Sequence, residues 1–135
     1  MSSSPVLQFR IDLPFAAAEE AVRAALAVEG FGILTEVNVA AVFKSRLGLD
    51  TPPQKLLGAC NPDLAHASLE AEPSVGAFLP CGVALREGEA PGQTLVALQN
   101  PALLAGMFST PGLETPSLDA TTRLTRALSS IGSPV

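Results

Sequence analysis

A buried strand that runs directly into a capped helix is the feature that most restricts the fold of this sequence. Residues 56–60 are apolar or small and end at the thiol of Cys60. Asn61 is the expected N-cap of the next helix, and Pro62 takes the first helical position, where a missing N–H costs no hydrogen bond. His66 lies about one turn further on. A thiol, a helix N-terminus and an imidazole therefore lie within one short segment.

Composition excludes several classes of protein. The 135 residues carry a formal net charge of −5 and contain no cluster of Lys and Arg. Nucleic-acid binding needs a basic stripe that neutralises phosphates, and an anionic membrane surface needs one too, so we expect neither partner. No apolar run approaches the roughly 18 residues of a membrane span, and residues 1–5 lack a signal-type segment. We therefore expect a cytoplasmic protein whose two cysteines are reduced thiols.

Hydrophobic periodicity predicts one domain over residues 1–135, with residues 1–5 and 132–135 frayed at its ends. The strands are predicted over 6–12, 31–37, 55–60, 77–86 and 94–99. The helices are predicted over 14–29, 39–47, 62–72 and 116–131, with a short helical turn from 101. This order favours an α+β fold, with helices packed on one face of a mostly antiparallel five-stranded sheet.

The short helix over 39–47 has an apolar edge that we expect to be buried. This edge consists of Val39, Val42, Phe43 and Leu47. A sheet covered by helices on one side also leaves a second face and two edges without cover, and few charges protect them. We therefore expect the chain to associate with a second copy.

Three segments carry a resemblance to a known family. They are residues 30–37, residues 57–62 with the sequence Leu-Gly-Ala-Cys-Asn-Pro, and residues 79–81 with the sequence Leu-Pro-Cys. In order and spacing they resemble the bacterial family catalogued as domain of unknown function 302, over nearly the whole chain. The resemblance implies a compact fold similar to the TATA-binding-protein-like class and a homodimer, and it brings no established activity.

The candidate site follows from these signature positions. Cys60, Asn61, Cys81 and His66 are candidate ligand-binding or redox residues, and Gly58, Pro62 and Pro80 are structural signature positions. Asn61 is explained by N-capping alone. Pro80 marks an edge, a bulge or a point where strand pairing stops, because proline removes a backbone donor.

The two thiols have two interpretations that the sequence leaves open. Cys60 and Cys81 pack as small buried apolar groups, or they form a redox-active pair in which the N-terminus of the following helix lowers the pKa of Cys60. A soft-metal site at Cys60, Cys81 and His66 is a further alternative. No complete catalytic set and no cofactor motif is visible. We predict a small homodimeric module that binds an unidentified small ligand or a partner near these residues, without a cofactor.

Overall fold

The structure, a computed structural model, describes residues 4–135. Its strands are β1 (Val6–Ile11), β2 (Gly32–Asn38), β3 (Gln54–Cys60), β4 (Cys81–Glu87), β5 (Thr94–Gln99) and β6 (Ser133–Pro134). Its helices are α1 (Phe15–Val28), α2 (Val39–Leu47), α3 (Pro62–Ala71), a 3-10 helix (Pro73–Phe78), α4 (Pro101–Phe108) and α5 (Glu114–Ser129). This element order confirms the predicted α+β class.

The described strands form one antiparallel sheet in the order β2-β3-β4-β5-β1-β6. Leu57 lies opposite Val83, and Val83 lies opposite Leu98; all three are buried in the same cluster as the apolar residues of α1 and α5. Because side chains alternate along a strand, the neighbouring row lies on the other face of the sheet. This outer face carries the cross-strand row Val37, Leu56, Ala84 and Ala97.

Four charged side chains connect α1 to the β2–β3 end of the sheet. The Lys55 ammonium lies 2.9 Å from a Glu19 oxygen and 3.0 Å from a Glu36 oxygen. Arg23 approaches the same two carboxylates at 2.9 and 3.0 Å. Each charge thus has two partners of opposite sign, and the ring fixes β2 and β3 against α1.

The sheet has six strands rather than the predicted five, because the C-terminal segment is paired. Ser133 and Pro134 lie opposite Arg10 and Phe9 of β1, and the Val135 N–H donates to the Gln8 carbonyl at 2.9 Å. The prediction that residues 132–135 fray was therefore wrong. A two-residue strand has too few positions to show the alternation from which strands are predicted. At the other end, residues 1–3 lie outside the described part of the chain.

The segment before β4 is helical, which corrects the predicted strand over 77–86. Residues 73–78 form the 3-10 helix, and β4 begins only at Cys81, directly after Pro80. Glu72 caps the 3-10 helix, because its carboxylate accepts from both the N–H and the hydroxyl of Ser74. This local cap competes with the extended conformation that the apolar residues of the segment favour.

The apolar edge of α2 is not buried, contrary to expectation. All residues of this helix are described, and none of them is buried. Val42, Phe43 and Leu47 are exposed, with Leu47 at 63 %. The local prediction of the helix itself is confirmed, since the Asn38 side chain accepts from the Ala41 N–H and Gly48 ends the helix with φ +68°. An amphipathic pattern identifies an apolar face but not what covers it.

Candidate ligand-binding cavity

Asn61 connects two helix ends, the N-terminus of α3 and the C-terminus of α1. Its side-chain oxygen accepts from the Leu64 N–H at 3.3 Å, which confirms the predicted N-cap of α3. Its amide nitrogen donates to the Glu29 carbonyl at the C-terminal end of α1, at 3.3 Å. Gly30, with φ +87°, follows there, and a Cβ at this glycine would lie 2.9 Å from the Asn61 amide nitrogen. Asn61 is therefore more than a cap, because it also positions α3 against α1.

Gly58 and Pro80 belong to one tight contact on the outer face. A Cβ at Gly58 would overlap the Thr35 hydroxyl oxygen and would lie 2.5 Å from Pro80 Cγ. The backbone of β3 can therefore lie this close to Thr35 and Pro80 only because Gly58 has no side chain. The interpretation of Gly58 and Pro80 as structural residues rests on this packing.

A cavity of about 50 Å³ lies next to this strand end. Ala59 and Cys60 of β3 and Cys81 of β4 line the cavity at the sheet. The antiparallel register places Ala59 directly opposite Cys81, so that the two cysteines lie on neighbouring strands one residue out of step. The remaining walls come from α3, the 3-10 helix, α4 and α5, including Leu64, Phe78, Leu104 and Ser117.

The wall formed by the 3-10 helix and α4 has its own small cluster of contacts. The Phe78 and Phe108 rings meet edge to face, with centroids 5.8 Å apart. The Thr110 hydroxyl donates to Glu72 at 2.8 Å, and hydrogen bonds from Ser74 and Thr110 lower the pKa of this carboxyl. These bonds join the end of α3 to the connection between α4 and α5, so the cavity wall is built from segments distant in sequence.

Both cysteines are free thiols, and each is partly buried. Burial, and secondly the neighbouring Cys60, raise the pKa of the Cys81 thiol to about 11. Cys81 therefore stays protonated near neutral pH and acts there as a weakly polar wall of the cavity rather than as a nucleophile.

This pKa shift predicts a loss of stability in alkaline solution. The unfolded chain releases the Cys81 proton near its ordinary pKa of 9.0, whereas the native state keeps it until about 11. Between these values the native state holds more protons, so stability falls as the pH rises. In Cys81→Ser this part of the decline should disappear. Chemical denaturation at several pH values under reducing conditions measures this decline, and identical pH profiles for Cys81→Ser and the parent chain would contradict the prediction.

The polar groups of the cavity differ in whether they already have partners. The Ser68 hydroxyl donates to the Leu64 carbonyl at 2.8 Å, and the Gln99 side-chain oxygen accepts from the Gly82 N–H at 3.1 Å. Ser117 is only 7 % exposed, and its hydroxyl makes no hydrogen bond within residues 4–135. Ser117 is thus a polar group of the cavity that is open to a ligand.

His66 does not join the cysteines at the cavity. Its side chain is 78 % exposed and lies 3.2 Å from Glu70 on the surface of α3. Across the described residues, no group of three His, Cys, Asp or Glu side chains is arranged to hold a metal ion. The soft-metal alternative at Cys60, Cys81 and His66 is therefore not supported by the geometry.

Sequence reasoning found the β3–α3 side of the cavity and missed the opposite side. Cys60, Asn61 and Cys81 were predicted to lie at one site, and all three line the cavity. Ser117 and Leu104 were not among the predicted site residues, because they come from helices at the far end of the chain. The only sequence feature that could have indicated this wall is the apolar run of α4.

The fold and site define a small α+β protein with an antiparallel sheet and a thiol-lined cavity at one sheet end. Among residues 4–135, no helix is long and apolar enough to cross a membrane. The family described as Domain of unknown function DUF302 matches residues 7–131, and the chain belongs to this family. No curated protein matches the chain.

A solved structure supports the same conclusion. The crystal structure of an uncharacterized conserved DUF302 protein from Bacillus stearothermophilus is 28 % identical to this chain. The similarity covers 94 % of this chain and 98 % of that one, with a TM-score of 0.85. The α+β class and the family predicted from the sequence are thereby confirmed, and the relative is itself uncharacterized.

Proposed function

We propose that this protein is a binding module that takes a small ligand into the cavity at Cys60, Asn61 and Cys81. The observation that carries the proposal is the combination of a mainly apolar cavity with a partnerless hydroxyl, that of Ser117, in the described part of the chain. Binding sites for small molecules are typically apolar and contain a few placed polar groups. No catalytic set of residues accompanies this cavity in the described chain, which favours binding over catalysis.

Substitutions on α3 test whether a ligand enters this cavity. Ala65 lines it, whereas Ala67 on the same helix is exposed and outside it. In Ala65→Leu the added atoms should fill the cavity and remove binding, and Ala67→Leu should leave binding unchanged. A fragment library that contains neutral and charged compounds serves as the probe, with binding followed by two-dimensional NMR spectra of the protein.

The expected result is a set of fragments whose amide shift changes centre on the cavity and vanish in Ala65→Leu only. Fragments that bind equally well to both variants, or a library in which no fragment binds at the cavity, would contradict the proposal. Circular dichroism and thermal unfolding establish that both variants are folded before the comparison is made.

We also propose that the module is a homodimer. Half of the exposed large apolar side chains in residues 4–135 lie within residues 34–56, in β2, α2, the following loop and β3. Leu34 is 66 % exposed, and the apolar edge of α2 is open to solvent. A concentration of this kind favours an interface, and a twofold contact buries the same surface on both copies.

The dimer should dissociate when this surface is made polar. The double variant Val42→Ser, Leu47→Ser should weaken self-association at least about tenfold, because both apolar groups would be lost from each copy. Val28→Ser changes an equally apolar and more exposed residue outside the surface, and should have no effect. Light scattering coupled to size exclusion measures the mass at micromolar concentration. A monomeric parent chain would end the proposal of a dimer.

The alternative function, a thiol redox or sensor protein, rests on Cys60. It predicts that Cys60 in the native protein reacts readily with iodoacetamide near neutral pH, while Cys81 reacts slowly. Slow labelling of both native thiols, with fast labelling after unfolding, would exclude it. Two finer expectations accompany the proposed function: a cytoplasmic location, which suits free thiols, and a place in the TATA-binding-protein-like fold class.

A further inference from the structure

We propose that the cavity selects an uncharged, slender aliphatic molecule of about four or five non-hydrogen atoms that carries one hydrogen-bonding group directed at Ser117. This inference rests on the proposed function, because it assigns a chemical class to the ligand of the same cavity. It is carried by three observations: the absence of charge in the lining, the size of the space, and the position of one unused hydroxyl.

The lining excludes a charged ligand group. Among the described residues that form the walls there is no Asp, Glu, Lys, Arg or His. Cys81 keeps its proton at neutral pH, since burial raises its pKa to about 11. Transfer of a charge into such surroundings is unfavourable unless a partner of opposite sign is present. Carboxylates, phosphates, ammonium groups and metal ions therefore have no counter-charge here.

The size of the cavity limits the ligand to a short chain. The cavity has a volume of about 50 Å³, and one water needs roughly 10–15 Å³. Roughly three to five small atoms therefore fit inside without movement of the walls. A ligand with more atoms than this would have to extend out of the cavity or move its walls.

Ser117 supplies the polar contact. In the described residues, every side-chain nitrogen or oxygen that is fully shielded from solvent has a hydrogen-bond partner. The Ser117 hydroxyl has no partner in these residues, so it must be partly accessible to solvent, and Ser117 lines the cavity. The Asn61 side chain differs from Ser117, because its oxygen already accepts from the Leu64 N–H and one of its two amide hydrogens already bonds the Glu29 carbonyl. A hydroxyl or carbonyl group on the ligand would satisfy Ser117.

Three probes of similar size test the inference: 1-butanol, the butylammonium ion and propanoate. We expect 1-butanol to shift the amide signals of lining residues in the full-length protein and both ions to bind at least about tenfold more weakly. Ser117→Ala should weaken 1-butanol binding about fivefold, as expected for loss of one hydrogen bond. Thr125→Ala, a change on the same helix outside this cavity, is the matched control and should have no effect.

Two results would overturn the inference. The first is equal or tighter binding of either ion in the cavity, and the second is no binding of 1-butanol. The fragment screen with Ala65→Leu then distinguishes an error in the ligand class from an error in the proposed binding function. If charged or larger fragments bind the cavity of the parent chain but do not bind Ala65→Leu, the ligand class is wrong and the proposed function stands. If no fragment binds there, both fail.

Discussion

Gly58→Ala is expected to destabilise the protein by about 3 kcal/mol, at the upper end of the cost of overpacking a well-packed region. The added Cβ would overlap the Thr35 hydroxyl oxygen and would lie 2.5 Å from Pro80 Cγ. Thr35 can rotate away, since it lies on the edge strand β2. The Pro80 ring is rigid, so the backbone of β3 has to shift. Chemical denaturation measures the change in the free energy of unfolding.

Gly82 provides a matched control for this prediction. It lies directly opposite Gly58 in the sheet, and a Cβ there would have no neighbour within 4 Å. Gly82→Ala should therefore change stability by no more than about 0.5 kcal/mol, as for other surface substitutions. Thr35→Ala should restore part of the stability of Gly58→Ala by removing one of the two contacts. Similar losses for Gly58→Ala and Gly82→Ala would show that a general intolerance of side chains in the strands, not the Thr35 and Pro80 contact, is responsible.

Gly30→Ala is expected to cost about 2–3 kcal/mol for two separate physical reasons. Its backbone has φ +87°, a conformation that L-residues avoid, and its Cβ would lie 2.9 Å from the Asn61 amide nitrogen. Gly48→Ala isolates the first reason, because Gly48 has φ +68° and no atom within 4 Å of a Cβ. Gly48→Ala should thus cost only about 1 kcal/mol.

A double-mutant cycle isolates the second reason. Asn61→Ala alone loses the cap of α3 and the bond to the Glu29 carbonyl, which together cost about 2 kcal/mol. In the double variant the contact between the new methyl group and Asn61 is absent. The combined loss should therefore be smaller than the sum of the single losses by about 1 kcal/mol. Strict additivity would mean that Gly30 is required for its backbone conformation alone.

The parts of the site that local chemistry determines were predictable from the sequence. Asn61 and Pro62 specify a helix start through one side-chain hydrogen bond and one missing donor, and both effects act within a few residues. The same holds for Asn38 and Gly48 at the two ends of α2. Antiparallel pairing of β3 with β4 then follows from the strand pattern and brings Cys81 next to the end of β3.

The parts that depend on distant contacts were not predictable. The Ser117 wall requires α5 to cross the end of the sheet near α3, and no local pattern encodes that position. The pairing of Ser133 with Arg10 is too short to leave a periodic signal. The apolar edge of α2 has the same sequence pattern whether it packs on the core of the chain or faces another molecule. Its burial was wrongly predicted for this reason.

A crystal structure of the protein under xenon pressure tests the central claim most directly. Empty apolar cavities take up xenon, whereas spaces filled by side chains or by ordered water do not. We predict a xenon atom in the cavity, in contact with Cys60, Cys81 and the α5 wall, and its loss in crystals of Ala65→Leu. Side chains of Leu64 or Leu104 filling this space, with no xenon in the cavity, would contradict the claim that the protein holds a ligand there.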